Sequence, residues 1–256
     1  MNGDVLKMEK LLIGRNALIT GGAGGIGAST ATTFAREGAN IVIADIKYDS
    51  AVELCSKLEA EYGVKAKAYD FNARNFASIE SFVEQVENEF GPIHILVNNA
   101  GISNTVTLEE MTEDAWDLVM DVNLKGPFFL TQKVFERMKE RRDGRIVNLA
   151  SIAGERGAVK SGPHYSISKA GMIVFTKVLA KLGGEYGITA NSVSPGVVET
   201  DMTKSLGLSI DTYPDIYLKR LGDPTDVANT ILFLVSSLGS YLTGQNISVN
   251  GGQTMR

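Results

Sequence analysis

The stretch Ala17–Glu37, ALITGGAGGIGASTATTFARE, restricts what this chain can fold into more than any other. A short apolar run, Ala17–Ile19, leads through Thr20 into a turn with five glycines among the seven residues Gly21–Gly27. From Ile26 to Phe34 the pattern predicts a helix. Strand, glycine-rich turn and helix, in that order, open the phosphate site of an open α/β sheet. Backbone N–H groups at the helix start point at an anion, and the helix dipole favours it there. Side chains would block the close approach of a pyrophosphate, and glycine removes that obstacle.

Two registers fit the turn. Gly22-x-Gly24-x-x-Gly27 satisfies the general dinucleotide fingerprint, and Thr20-Gly21-x-x-x-Gly25-x-Gly27 is the second. Glycines also mark ordinary tight turns, so the surroundings decide. Asn40–Asp45 (NIVIAD) is a second β-branched run, and Asp45 lies 18 residues beyond Gly27. An acid about 20 positions on is where the ribose 2′-hydroxyl of NAD is held. A dinucleotide cradle of Gly21, Gly24, Gly25, Ile26 and Gly27, with Asp45 facing it, is therefore expected.

The alternation continues. A helix around Val52–Tyr62 stops at Gly63, and Val64–Asp70 reads as a strand. Asn75–Phe90 is an amphipathic helix, and Ile93–Val97 is a strand closing on Asn98-Asn99-Ala100-Gly101. Met111–Met138 is mostly helical, with a break expected near Asn123–Pro127. Gly144–Leu149, Ile188–Val193 and Asn246–Val249 read as strands, and His164–Leu182 and Pro224–Ser236 as helices. No composition break or repeat divides residues 1–256, which are read as one domain. The fold class is α/β: a doubly wound parallel sheet of about seven strands with helices on both faces.

Composition narrows the function. The chain is 44% hydrophobic and 21% charged, with a net charge of −5, and so carries no footprint for nucleic acid or an anionic membrane. One cysteine, Cys55, excludes an intrachain disulfide and fits a reducing compartment. With His94 and His164 as the two histidines, no His/Cys metal site is expected. The opening MNGDVLKMEKLLIG has charges where a signal peptide needs a continuous apolar core, and no run is long enough to span a bilayer. A cytoplasmic protein is expected.

The strongest catalytic pair is Tyr165 and Lys169. Spacing of four puts both on one helix face. A phenol titrates near 10 when unperturbed, and a neighbouring ammonium lowers that value toward a usable acid/base. Such a pair also occurs on solvated helix faces. Ser151 follows the strand Gly144–Leu149, at the edge where open sheets bind ligands, and lies 14 residues before Tyr165. Its hydroxyl could donate to an oxygen that gains negative charge. Asn123 sits at the expected helix break, where irregular backbone frees a carbonyl or amide. Each of these also reads singly as a polar loop serine or a capping asparagine. A non-catalytic dinucleotide-binding regulator would need the glycine turn and Asp45 but not this trio.

Taken in order, these residues resemble the short-chain dehydrogenases/reductases of about 250 residues, including 3-oxoacyl-carrier-protein reductases and NAD-dependent secondary-alcohol dehydrogenases. The matches are Thr20–Gly27, Asp45, Asp70, Asn98–Gly101, Asn123, Ser151, Tyr165–Lys169, Pro195-Gly196, Leu242-Thr243-Gly244 and Val249–Gly252. The resemblance implies that Tyr165 is the acid/base and that Lys169 lowers its pKa and binds the nicotinamide ribose. It implies that Ser151 polarises the substrate carbonyl and that Asn123 holds a water relaying protons through Lys169. Asp70 and Phe71 would bracket the adenine, and Asn98, Ala100 and Gly101 would support the sheet and the adenine ribose. Pro195, Gly196, Val198 and Thr200 would contact the nicotinamide half. A homotetramer of two-fold symmetry is also implied. His94 stands where a common Asp would be, before a buried strand.

NAD is the expected cofactor. Asp45 accepts from a 2′-hydroxyl and repels a 2′-phosphate, while Gly24 and Ile46 occupy the positions where family members preferring NADP carry Arg or Lys. Lys47 lies close by. The expected substrate is a secondary alcohol or ketone. Asp201–Arg220 would cover it as a lid, with Met202, Leu206, Leu208, Ile210, Tyr213, Ile216, Tyr217 and Leu218 as an apolar wall. Arg137, Lys139, Arg141, Arg142 and Arg145 could dock an acidic carrier protein or simply form a solvated helix end.

Overall fold

The computed structural model describes residues 10–158, 161–205 and 209–255. β1 (Asn16–Thr20) leads to α1 (Gly25–Arg36), β2 (Asn40–Asp45), α2 (Tyr48–Tyr62), β3 (Ala66–Asp70) and α3 (Ile79–Phe90). β4 (Ile95–Asn98), α4 (Glu113–Met120), α5 (Gly126–Arg141), β5 (Gly144–Leu149), α6 (Ile152–Arg156) and α7 (Pro163–Gly183) follow. β6 (Ile188–Pro195), α8 (Asp201–Ser205), α9 (Pro224–Val235) and β7 (Asn246–Val249) complete the chain.

All seven strands pair in parallel in the order β3-β2-β1-β4-β5-β6-β7. Side chains alternate across a strand, which explains why both faces of the sheet are apolar. Ile19, Ile43, Val97 and Val147 pack on one face with Phe34 of α1, Leu58 of α2 and Ile231 of α9. Leu18, Val42, Leu96 and Ile146 pack on the other with Val83 of α3, Leu130 of α5 and Leu179 of α7. Each large side chain so buried contributes about 1.5–3 kcal/mol. The strand order reverses between β1 and β4, and the crevice beyond their carboxyl ends is where such sheets take ligands.

One expectation changes. The long helix does not break at Asn123–Pro127: a single π turn, Asp121–Lys125, joins α4 directly to α5. Pro127 has no N–H to donate, and a widened turn just before it lets the helix run on instead of ending.

His94 has a structural part. Its Nδ1 accepts the Asn16 backbone N–H (3.0 Å), and its own backbone N–H donates to the Asn16 carbonyl (3.0 Å), so it fastens the start of β1 to β4. Burial, with help from the Arg15 charge, holds its pKa below the ordinary histidine value. A proton on Nδ1 would remove the acceptor. The unfolded chain takes up that proton first, near pH 6.5, so the stabilisation is complete above that pH and is lost as pH falls through the lower folded value. Buried His164 is shifted the same way. The urea midpoint is expected to fall as pH drops below about 6.5, and His94→Asn, which keeps an acceptor but cannot titrate, should reduce that fall. An equally steep fall in the variant would remove His94 from the account.

Candidate active site

The glycine turn has the shape a dinucleotide needs. Gly21 sits at φ +63, and a Cβ on it would stand 2.8 Å from the Ala100 Cα. A Cβ on Gly27 would stand 2.2 Å from the Gly21 carbonyl oxygen, so the helix start and the turn touch backbone to backbone. Gly24, the N-cap of α1, has nothing within 4 Å of its missing Cβ, and no side chain among the described residues caps the helix. The first-turn N–H groups thus face open space, ready for an anion. Asn99 braces the turn by donating from Nδ2 to the Thr20 (3.0 Å) and Gly21 (2.8 Å) carbonyls.

Asp45 ends β2 beside this turn and is 9% exposed. Its Oδ2 accepts the Ala23 N–H and its Oδ1 the Lys47 N–H, each at 2.9 Å. The carboxylate is thereby aimed before any ligand arrives. From here a cavity of about 640 Å³ runs past Phe71, Ala100 and Gly101 to Ser151, Tyr165 and Lys169.

Tyr165 lies in the first turn of α7, and Lys169 one turn on. Ser151 is the N-cap of α6, its Oγ accepting the Ala153 N–H (3.1 Å), and it is also hydrogen-bonded to the Tyr165 hydroxyl. The Lys169 Nζ donates to the Leu149 carbonyl at 2.8 Å and lies 5.8 Å from the centre of the Tyr165 ring. Burial pushes the lysine down to about 8. Burial also pushes the tyrosine above its ordinary value, with the Ser151 hydrogen bond opposing. The lowered phenol expected from spacing is therefore not what this geometry produces, because desolvation outweighs an ammonium that is itself driven toward neutrality.

Asn123 is buried in the π turn. Its Oδ1 accepts the Ile102 N–H (2.8 Å), and its Nδ2 donates to the Ile102 carbonyl (2.9 Å) and to Ser168 Oγ (3.2 Å). A Cβ on Gly101 would meet the Lys169 Nζ at 3.2 Å and the Asn123 Oδ1 at 3.4 Å, so these three residues share one corner.

Gly21, Gly24, Gly25, Ile26, Pro195, Gly196, Val198 and Thr200 also line the cavity. Three expected cofactor residues do not. Gly27 is enclosed by the turn, Asp70 is exposed at the end of β3, and Asn98 is buried. Asn98 donates to Thr131 Oγ1 and Asn148 Oδ1, each at 2.8 Å, tying β4 to α5 and β5. Period-two alternation sends its side chain into the sheet face and leaves Asn99 at the cavity. Thr203 went unread in the sequence: its hydroxyl donates to the Val198 carbonyl (2.7 Å) and accepts the Thr200 N–H (2.9 Å), bracing the 198–200 wall. A Thr three residues after another Thr at a helix start was the available signal.

The apolar wall differs from expectation as well. Leu206 and Leu208 lie outside the described residues. Ile216 and Leu218 line a separate hollow of about 220 Å³ with Val197, Val227 and Val249. The Leu218 N–H donates to the Gly251 carbonyl (3.0 Å), which draws this segment toward the end of β7. His164, beside Tyr165, is fully buried, and neither ring nitrogen has a hydrogen-bond partner among the described residues.

The family described as enoyl-(acyl carrier protein) reductase matches residues 21–254. The 3-oxoacyl-(acyl-carrier-protein) reductase FabG of Staphylococcus epidermidis is 41% identical over 245 residues, covering 94% of this chain and 99% of that protein. The chain belongs to the short-chain dehydrogenases/reductases. The FabG of Thermotoga maritima is 42% identical over 243 residues, covering 94% of this chain and 98% of its own. An acetoacetyl-CoA reductase of Shinella zoogloeoides is 37% identical, covering 93% and 98%. A short-chain type dehydrogenase/reductase from Mycobacterium marinum superposes with a TM-score of 0.92 at 30% identity, covering 97% of this chain and 98% of that one. As a short-chain dehydrogenase/reductase, the protein is an oxidoreductase that uses a nicotinamide dinucleotide on an alcohol or its carbonyl product.

Proposed function

We propose that this short-chain dehydrogenase/reductase is NAD(H)-linked, with 3-oxoacyl thioesters and their 3-hydroxy forms as its substrate class. The observation that carries the reading is the meeting of Ser151, Tyr165 and Lys169 at one end of the cavity that holds Asp45 at the other. The nicotinamide of a bound dinucleotide supplies or accepts the hydride. Tyr165 gives a proton to the substrate oxygen in reduction and takes it in oxidation. The Ser151 hydroxyl donates to that oxygen as charge develops on it. Lys169, held near 8, passes protons to and from the phenol. Because the Asn123 side chain is committed to Ile102 and Ser168, its part in the relay falls to its backbone carbonyl in the π turn. On the side of the expected lid, Thr200, Asp201 and Thr203 wall the cavity.

The substrate class comes from the relatives, whose names include 3-oxoacyl-(acyl-carrier-protein) and acetoacetyl-CoA reductases. The basic cluster does not favour an acidic carrier. Arg137 and Arg141 pair with Glu80, Glu84 and Glu87 of α3, and Lys139 lies over the Tyr186 ring. Arg145 is the second residue of β5 and Ser151 follows its far end, which separates cluster and site by about 20 Å of strand. The test is NADH oxidation with acetoacetyl-CoA, an acetoacetyl-carrier protein and a panel of plain ketones, with Tyr165→Phe as control. Turnover of plain ketones alone would replace the thioester reading. Equal rates in wild type and variant would remove the assigned chemistry.

We also place the protein as a cytoplasmic homotetramer. No helix among the described residues is long and apolar enough to cross a membrane. On α7 Ile173 and Leu179 pack inward, but Ile167, Val174, Val178 and Leu182 form an exposed stripe beside exposed Phe128 and Phe129 of α5. Apolar stripes of this kind commonly mark subunit contacts. Light scattering is expected to show a tetramer, and Val174→Asp with Val178→Asp a smaller species. A 27.5 kDa wild-type particle would defeat the assignment.

A further inference from the structure

Helix α6 is five residues long and carries Ser151 as its N-cap, so whatever holds α6 holds the serine hydroxyl. A helix this short has little stability of its own, and its neighbours hold it, two of their contacts being at Gly154 and Glu155. On one side Gly154 lies against the backbone of α7. A Cβ there would stand 2.6 Å from the Ala170 nitrogen, 2.6 Å from the Lys169 carbonyl carbon and 3.0 Å from the Lys169 Cβ. Helix backbone cannot swing aside as a side-chain tip can, so the contact admits only glycine. On the other side Glu155 Oε1 accepts from the Ser248 hydroxyl (2.7 Å) and from the Asn246 side-chain amide, both on β7.

We propose that Gly154 and Glu155 are positioning residues for the hydride-transfer reaction: together they press α6 onto the Lys169 turn of α7 and set the distance from Ser151 to Tyr165 and Lys169. The inference rests on the roles given above to those three residues. The Ser151 hydroxyl opposes the rise that burial imposes on the Tyr165 pKa. An outward step of α6 lengthens that hydrogen bond, and the phenol then holds its proton to higher pH. The two grips differ in kind, one a close fit and the other a hydrogen-bonded anchor. Displacing α6 by either route should have the same signature.

Gly154→Ala and Glu155→Ala test this, with Gly184→Ala, whose Cβ meets nothing within 4 Å, as the control. Crystal structures of the variants and NADH-dependent reduction of acetoacetyl-CoA are the two readouts. In Gly154→Ala the Ser151–Lys169 Cα separation is expected to grow by about 1 Å and kcat to fall about 10- to 100-fold. The descending limb of the pH profile should move to higher pH, while the KM for NADH stays within about threefold. Glu155→Ala should move the limb the same way by less, and it carries the decision if Gly154→Ala does not fold. An unchanged separation together with an unmoved limb overturns the proposal. Loss of stability with normal kcat and limb would make both residues structural only, and also overturns it. Tyr165→Phe separates the two levels. If it is inactive while Gly154→Ala and Glu155→Ala behave as wild type, the assigned chemistry stands and this inference falls.

Discussion

Tyr165→Phe is expected to lower kcat by about 10²–10⁴-fold, the usual worth of a placed acid/base. Only the hydroxyl is removed. The ring stays in the first turn of α7, and the glycine turn and Asp45, at the other end of the cavity, are untouched. The KM for the cofactor should therefore stay within a few-fold, and the loss should sit in kcat. Ser151→Ala should cost about 10²–10³-fold by removing one donor to the developing charge. It also releases the Tyr165 hydroxyl from its hydrogen bond, so the two losses should not add. Steady-state kinetics on the single and double variants check this. A double variant as slow as the product of the two single losses would show that the hydroxyls act independently, against the coupled site described here.

Asp45 should decide the cofactor. Its two oxygens are fixed by the N–H groups of Ala23 and Lys47, so the carboxylate cannot turn away from a group at the ribose 2′ position without giving up both bonds. Against a 2′-phosphate, like charges in such a site cost several kcal/mol, and each 1.4 kcal/mol is tenfold in affinity. The neighbouring Ile46 and Gly24 offer no compensating cation, and Lys47 is engaged through its backbone with its side chain exposed. NAD is expected to be preferred by at least about a hundredfold in kcat/KM. Asp45→Ala combined with Ile46→Arg should narrow or reverse that ratio, since a guanidinium pairs well with phosphate. Measuring both cofactors on the wild-type enzyme is the first check. Equal use of NADP would mean that the exposed Lys47 ammonium reaches the phosphate and that Asp45 does not discriminate.

Much of the fold was legible in the sequence because its signals are local. β2 and β5 have the bounds read from NIVIAD and GRIVNL, since a buried parallel strand is a continuous apolar run that turn residues delimit on either side. The dinucleotide turn, Asp45, and the order Ser151, Tyr165, Lys169 were legible for the same reason, each being defined by spacing along one or two adjoining elements. The π turn at Asn123 was not. A proline after a glycine signals only that the regular hydrogen-bond pattern fails, and packing of the flanking helices decides whether the chain breaks or widens there.

Pairings across long separations were decided by the tertiary structure alone. Asn98 went to Thr131 and Asn148 and away from the cavity, which depends on which face of β4 meets α5. Arg137 and Arg141 of the basic cluster were paired because α3 lies beside α5 and brings three glutamates to them. Ser151 and Lys169 are 18 positions apart in the chain, yet the gap between their helices is set by the absence of a Cβ at Gly154. Sequence alone determined which chemical groups this protein has and the order in which the sheet presents them. How close those groups stand, and which retain free hydrogen-bonding atoms, was decided by side chains and backbone packed from distant parts of the chain, because contact energies fall off within a few Å and a linear pattern carries no such distances.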